Sequence, residues 1–457
     1  GHQLLSDPLD LFDANIFHTY PRTLAYSELL LGNGLLALPI TAATGTPVLG
    51  YNVALLLSFV LSGLGTYLLV LALTRSPGAG LVAGTIFAFS AYRMTNLAQA
   101  QLLTTQWMPF ALLALLQLMR HPRARHVATL VLFFCLQALS SFYYAILLAM
   151  AVAGLVVWQF AVWIWLRAKE GAPDGDRHRR VILYLLATAV LCALIVLPFA
   201  LPYFQVQREL GFERSLADNE PFSASLRQYL MVPPGSAVHG QWLPSDDTPI
   251  AGGYAVDALF PGLVTLALSV WGLVRGQGRT RWFFLILALT SLVLSFGPRL
   301  YLAPGQPAGL EIGLPYAWLC AAVPGFKALR APVRFDALVM LSLAVLAGYG
   351  VAAIGGNREA ASKQANSRAR VLVGAGVLLL VGLVVIESLV WPAANAEEVP
   401  VGSDVPLVYR WLADQGADPM LELPMAFTPG GPQLDYQYVS AYHWRTTPDG
   451  YSGFIPP

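Results

Sequence analysis

VLGYNVALLLSFVLSGLGTYLLVLAL, residues 48–73, runs for its whole length without a charged side chain. A helix needs about 20 apolar residues to cross the hydrocarbon core of a bilayer, so this stretch predicts a membrane span. The same reading, worked outward, predicts spans at 79–92, 102–119, 127–141, 142–166, 181–204, 257–274, 282–296, 335–356 and 371–391. Composition agrees: 56% of the 457 residues are apolar and 12% are charged. A soluble domain carries about a quarter charged residues. A cytosolic enzyme, a disordered chain and a nucleic-acid binder are thereby excluded, and an all-α polytopic membrane protein of about ten spans is expected.

The stretch 28–44, ELLLGNGLLALPITAAT, is interrupted by Gly32, Gly34 and Pro39. It reads as an interfacial or re-entrant helix rather than a crossing. Gly80-x-x-x-Gly84 and Ser62-Gly63-Leu64-Gly65 read as close helix packing and not as cofactor loops. The three cysteines lie far apart, so no disulfide framework or zinc site is implied. Gly1 is not an initiator Met, both ends read as cut, and at least one further span is expected before residue 1.

Charge orders the loops. The segments 75–78, 120–126, 167–180, 275–281 and 357–370 hold sixteen Lys/Arg and four acids, against 27 and 26 in the whole chain. Basic loops stay cytoplasmic during insertion, which predicts an integral, multi-pass inner-membrane protein with these five loops inside. The long segments 1–47, 205–256, 297–334 and 392–457 then face outward. Connections of such length are uncommon unless they serve a function. The division is a first loop with its interfacial helix (1–47), a helical core (48–391) and the start of an extracytoplasmic domain (392–457). In that last part VPLVYRWLADQG reads as a helix and PMLELPM as a short strand, giving a small α/β or β portion.

Chemistry is sought in the outer segments, because the spans hold almost no charge: Asp257 and Asp336 stand at span starts and Glu387 near an exit. Pumps and ion-coupled transporters keep ionisable groups at mid-membrane, so transport is disfavoured. No GxxxxGK[ST], HExxH or GxSxG motif occurs. The first loop, SDPLDLFDANIFHTYPRTLAYSE, carries Asp7, Asp10, Asp13, His18, Arg22 and Glu28 among four aromatics. A carboxylate there can act as general base on a hydroxyl, and a solvated, capped loop is the plainer reading. PGFKALRAPVRF at 324–335 sets Lys327, Arg330 and Arg334 before a span; guanidinium forks match phosphate oxygens. An anionic-lipid anchor is the alternative. Arg93, at another outer span end, is a weaker candidate for the same role, as are Arg208 and Arg214. The loop 205–256 mixes acids, His239 and Trp242 without a deciding spacing, and a divalent cation is compatible with its acids but called for by no motif.

Together these segments, with AGTIFAFSAYRMTNLAQAQLLTTQWMPFALLAL at 83–115 and the tail motifs LELPM and GYSGFIPP, resemble the GT-C glycosyltransferase superfamily. The likeness is to its YfhO-type and mannosyltransferase-like bacterial membrane proteins and covers nearly the whole chain. The resemblance implies a helical membrane core, a polyprenyl-phosphate sugar donor, a glycan, lipid or protein acceptor, and a catalytic carboxylate in the first outer loop. That role falls to Asp13 or Asp10, with Asp7 and Glu28 as outside candidates. Donor phosphate would meet Arg330, Arg334, Lys327 and Arg93, while His18, Arg22 and Glu28 would contact substrate. Such a donor is already activated, so no nucleotide-binding domain and no cofactor is needed. A non-catalytic envelope-assembly protein of the same fold, or a carrier of lipid-linked sugar, is the alternative expectation.

Overall fold

A computed structural model describes residues 2–170, 175–211, 215–245, 257–309, 313–323, 326–355, 367–391, 398–416, 418–424 and 433–456. The protein is mostly helical. Its main helices are Leu31–Thr44, Pro47–Thr74, Pro77–Ala88, Met108–Arg120, Ala124–Ser140, Phe142–Glu170, Gly175–Leu210, Leu263–Arg275, Thr280–Ser295, Asp336–Gly355 and Ser367–Glu387. Five stretches are long and apolar enough to cross a membrane: Pro47–Thr74, Ala100–Arg120, Phe142–Lys169, Asp176–Leu210 and Pro332–Gly355. The other apolar helices among the described residues run 10–17 residues.

Burial ranks the long helices from centre to rim. In an 18-residue apolar window of each, 78% of the residues are buried within the protein for Ala100–Arg120 and Pro332–Gly355 but only 17% for Asp176–Leu210. An apolar helix left that uncovered needs an apolar surround. The central helix meets Leu263–Arg275 backbone to backbone. A Cβ on Gly272 would stand 2.0 Å from the Leu346 carbonyl oxygen, and one on Gly350 2.2 Å from that of Leu268. Without water to drive association, close approach at small residues and interhelical hydrogen bonds hold such pairs; Ser269 Oγ donates to Leu343 O at 2.9 Å across the same contact. The glycine motifs pack as their spacing predicts. A Cβ on Gly84 would lie 2.6 Å from Gly63 O, and one on Gly80 2.8 Å from Tyr67 O.

Two expectations are corrected. Residues 31–44 form one continuous helix with Pro39 inside it, not a broken one. Gly32 is there for proximity rather than for a break, since a Cβ would fall 2.1 Å from Ser140 Oγ. The tail helix is present as Leu407–Ala413, but the described part of PMLELPM, up to Pro424, forms no strand. Pro419 and Pro424 bracket it and offer no N–H to a ladder, and Met420 N donates once, to Thr446 O. The two-stranded sheet lies elsewhere, Tyr301–Ala303 against Gln306–Pro307.

The helix ends sort into two poles. At the basic pole Arg120 Nη1 donates to Ala72 O, and Arg177 Nη2 to Met119 O and Arg120 O. At the loop-rich pole the segments 2–30, 215–245, 398–416 and 433–456 gather. There Phe17 N donates to Asp449 O, His18 N to Thr447 O and Thr447 N to Asn15 O, so the tail lies along the first loop. Glu387, leaving the last long helix, accepts from Leu263 N and from Val264 N (3.1 Å) and pairs with His239 at 2.8 Å. It caps a helix start that supplies no cap of its own.

Candidate functional site

Three structural breaks at the loop-rich pole converge. The first is Ser141, an extended residue (φ −167°, ψ 119°) between the helices ending at Ser140 and starting at Phe142. Its Oγ accepts from Tyr144 N at 3.3 Å, opening the second helix, and donates to Glu28 Oε2 at 2.6 Å. The second is the end of the first loop, where Glu28 stands and where Tyr203 Oη donates to Ser27 O at 3.0 Å. The third is the 3-10 turn Pro332–Phe335, begun by proline, which sets Arg334 two residues before the central helix. Arg334 Nη1 donates to the other Glu28 oxygen, and its guanidinium carbon lies 4.5 Å from the Tyr143 ring centroid. Tyr143 Oη in turn donates to Ala331 O, fixing the turn.

Behind this pair lies a group of buried polar side chains. Tyr92 and Tyr144 are both buried within electrostatic reach of Arg334, and Tyr144 Oη donates to Leu102 O at 2.9 Å. Asp257 accepts from Asn96 Nδ2 at 2.7 Å. Burial pushes its carboxyl up to about 6; the Asn96 hydrogen bond and the Arg334 charge hold it from rising further. Asp336, wholly buried, lies close to Asp257 and beside Tyr229, without a well-formed hydrogen bond to either carboxylate oxygen. One guanidinium therefore bonds one carboxylate and lies within electrostatic reach of a second acid. The pair is partly exposed, 16% for Arg334 and 23% for Glu28.

The predicted site residues divide. Arg334 and Glu28 meet. Asp13 is exposed, and its Oδ1 accepts from Arg22 N at 2.6 Å, where Arg22 is left-handed (φ 57°). That carboxylate holds a strained turn. Arg22 itself bridges to Gln205 (2.6 Å) and Glu209 (2.5 Å) at the end of helix Gly175–Leu210. Asp10 and His18 are exposed on the same loop. Lys327 is exposed, while Arg330 turns aside over the Phe222 ring at 4.1 Å. The three cations of 324–335 thus point to three surroundings.

Arg93 is a correction of a different kind. It is 2% exposed, lies 4.4 Å from the Phe59 ring centroid, and donates to Ala88 O, Leu103 O, Thr105 Oγ1 and Ser58 Oγ at 2.7–3.2 Å. Those bonds engage every guanidinium nitrogen and tie three chain segments, and the burial leaves no face for phosphate to reach. Sequence reasoning placed Asp257 and Asp336 only as span-edge charges and passed over Ser141, Tyr143 and Asn96. The Ser140-Ser141 step between two apolar runs was the available signal for the first of these.

Among the described residues no group of three or more His, Cys, Asp or Glu is arranged to hold a metal. Asp246 and Asp247, two of the acids in the loop that carries His239, lie outside the described residues, as does Arg214. Neither protein-family models nor curated protein sequences match the chain.

Proposed function

We propose that the protein is a membrane-embedded glycosyltransferase that moves a sugar from a polyprenyl-phosphate donor to a hydroxyl acceptor at the loop-rich pole. The observation that carries this reading is the Glu28–Arg334 pair: a phosphate-competent fork and a carboxylate base, held together at the mouth of the bundle. The basic pole is cytoplasmic and the loop-rich pole outside, in line with the sixteen-to-four charge imbalance. The shorter apolar helices complete about ten crossings.

In this mechanism the donor phosphate competes with Glu28 for the Arg334 guanidinium, an exchange of one oxyanion for another. Glu28, released, is left with its Ser141 hydrogen bond and a free oxygen. The acceptor oxygen forms a bond to the anomeric carbon, and the bond from that carbon to the phosphate oxygen breaks. The electron pair leaves with the polyprenyl phosphate, against Arg334, and the acceptor proton passes to Glu28. The exposed apolar side of helix Gly175–Leu210, with Leu183, Leu186, Leu194 and Leu197 turned outward, offers a path for the lipid chain. Asp13 keeps the loop turn and Asp10 stays in solvent.

Reconstituted protein with a labelled polyprenyl-phosphate hexose tests this. Glu28→Gln should slow transfer by roughly two to four orders of magnitude with donor binding kept. Arg334→Gln should weaken donor binding about tenfold or more, one charge-assisted contact being worth roughly 1.5–3 kcal/mol. Full turnover in Glu28→Gln would remove the proposal. A non-catalytic scaffold is the second reading, favoured by the pair being complete without a ligand. It predicts no transfer by the wild type with any donor and no donor binding sensitive to Arg334.

A further inference from the structure

Among the described residues the basic pole carries a pattern that the loop-rich pole does not. Cations stand over indoles: Arg167 over Trp163 at 5.6 Å, Arg275 over Trp271 at 5.5 Å and Arg281 over Trp282 at 5.3 Å. Trp165 has two, Lys169 Nζ at 5.3 Å and the Arg279 guanidinium at 4.9 Å. Lys169 comes from the last turn of helix Phe142–Glu170 and Arg279 from the residue before helix Thr280–Ser295. Two like charges from separate segments thus converge on one ring.

Nothing among the described residues neutralises them. The ion pairs found there, Arg22–Glu209, His239–Glu387, Arg299–Glu220 and Arg334–Glu28, all belong to the other pole. A ring quadrupole attracts each cation but does not cancel their mutual repulsion. Two residues on from Arg279, Arg281 buries Nε and Nη1 with no acceptor. Cationic donors therefore wait for an oxyanion at this edge. Trp165 is 52% exposed, and Ile164 and Val157, two turns apart on the same helix, are 59% and 67% exposed. An anion with an apolar body would lay its chains along that stripe.

We propose that Trp165, Lys169 and Arg279 seat the phosphate of an anionic phospholipid, with the acyl chains against Ile164 and Val157. Free phosphate fits the cations but leaves the apolar stripe uncovered, which is why the lipid is the occupant. Indoles settle at headgroup depth, and basic pockets between membrane helices take anionic headgroups. The site is independent of the chemistry proposed for the opposite pole.

Native mass spectrometry of the full chain, released from micelles supplemented with phosphatidylglycerol or phosphatidylcholine, tests it. Wild type should retain phosphatidylglycerol at least fivefold over phosphatidylcholine. Lys169→Gln with Arg279→Gln should abolish the preference, and Lys169→Arg should keep it. The charge-matched pair Arg123→Gln with Arg125→Gln, at the same pole, should also keep it. Should the first pair fail to fold, Trp165→Leu, which keeps both cations, should lower retention at least twofold. Equal retention of the two lipids, equal loss in both double variants, or displacement of phosphatidylglycerol by inorganic phosphate alone would overturn the proposal.

Discussion

Glu28 and Arg334, 306 positions apart, share one hydrogen-bonded ion pair, and Ser141 holds the carboxylate's second oxygen. Their meeting joins the first loop to the turn that precedes the central helix, so the pair is structural as well as a site. Removing one partner of a buried pair costs about 3–5 kcal/mol. Here both side chains keep some solvent, and about 2 kcal/mol is expected for either Glu28→Gln or Arg334→Gln. The double variant should cost less than the two singles combined, with a coupling of about 1–3 kcal/mol, read by chemical denaturation in detergent. Strict additivity would mean that the contact carries no energy.

Arg93 is expected to be the more damaging position. Arg93→Met removes four hydrogen bonds from groups with no water to replace it, at about 3–5 kcal/mol. Arg93→Lys should recover little of this, because one ammonium cannot reach acceptors spread over Ala88, Leu103, Thr105 and Ser58. Thermal unfolding followed by tryptophan fluorescence checks both. A Lys variant as stable as wild type would show that charge alone is needed.

Asp13 separates a structural from a catalytic carboxylate. Asp13→Asn keeps an oxygen that accepts the Arg22 N–H, so stability and transfer should both survive. Asp13→Ala should cost about 1 kcal/mol through loss of that bond at a left-handed residue. A transfer rate that falls a hundredfold in Asp13→Asn, with unchanged stability, would move the base from Glu28 to Asp13.

Asp257 should make stability fall as pH rises. Its folded carboxyl titrates at about 6, above the unfolded value of 3.8, so between these values the folded state holds more proton. The stabilising contribution is complete below about 4 and lost as pH climbs through about 6. A gap of that width between the folded and unfolded titrations is worth at most about 3 kcal/mol. Asp257→Asn keeps the acceptor for Asn96 and should reduce this slope. Denaturation midpoints for both proteins from about pH 4 to about pH 7.5, a range that brackets the folded titration, provide the comparison. Parallel slopes would place the proton elsewhere.

The long apolar runs were readable because span length and lack of charge are local properties. Gly63 and Gly84 were readable as packing residues because small side chains at helical spacing have few other uses in such runs. The site was readable only in kind. Arg334 and Glu28 could each be named from its local setting, but their meeting depends on how the Pro332 turn and the Ser141 break aim two helix ends. Asp13 looked more catalytic than Glu28 because a loop rich in acids hides which of them caps a turn. Arg93 misled for a related reason: a cation at a span end reads as surface, whereas chain reversals after Ala88 and Leu103 wrap backbone carbonyls around it. The absence of a strand at 419–424 has a local signal as well, the two prolines that bracket it.

The bonds between the tail and the first loop also set a timetable. Asn15 Nδ2 donates to Arg445 O, 430 residues further on, alongside the Thr447 and Asp449 contacts with Asn15, Phe17 and His18. At ribosomal speeds of about 5–20 residues per second, roughly 20 to 90 s separate the synthesis of the two partners. Throughout that interval the loop that bears Glu28 has emerged without its lining. The pole where donor and acceptor would meet is thus closed only after the helices from Pro47–Thr74 to Ser367–Glu387 have been made.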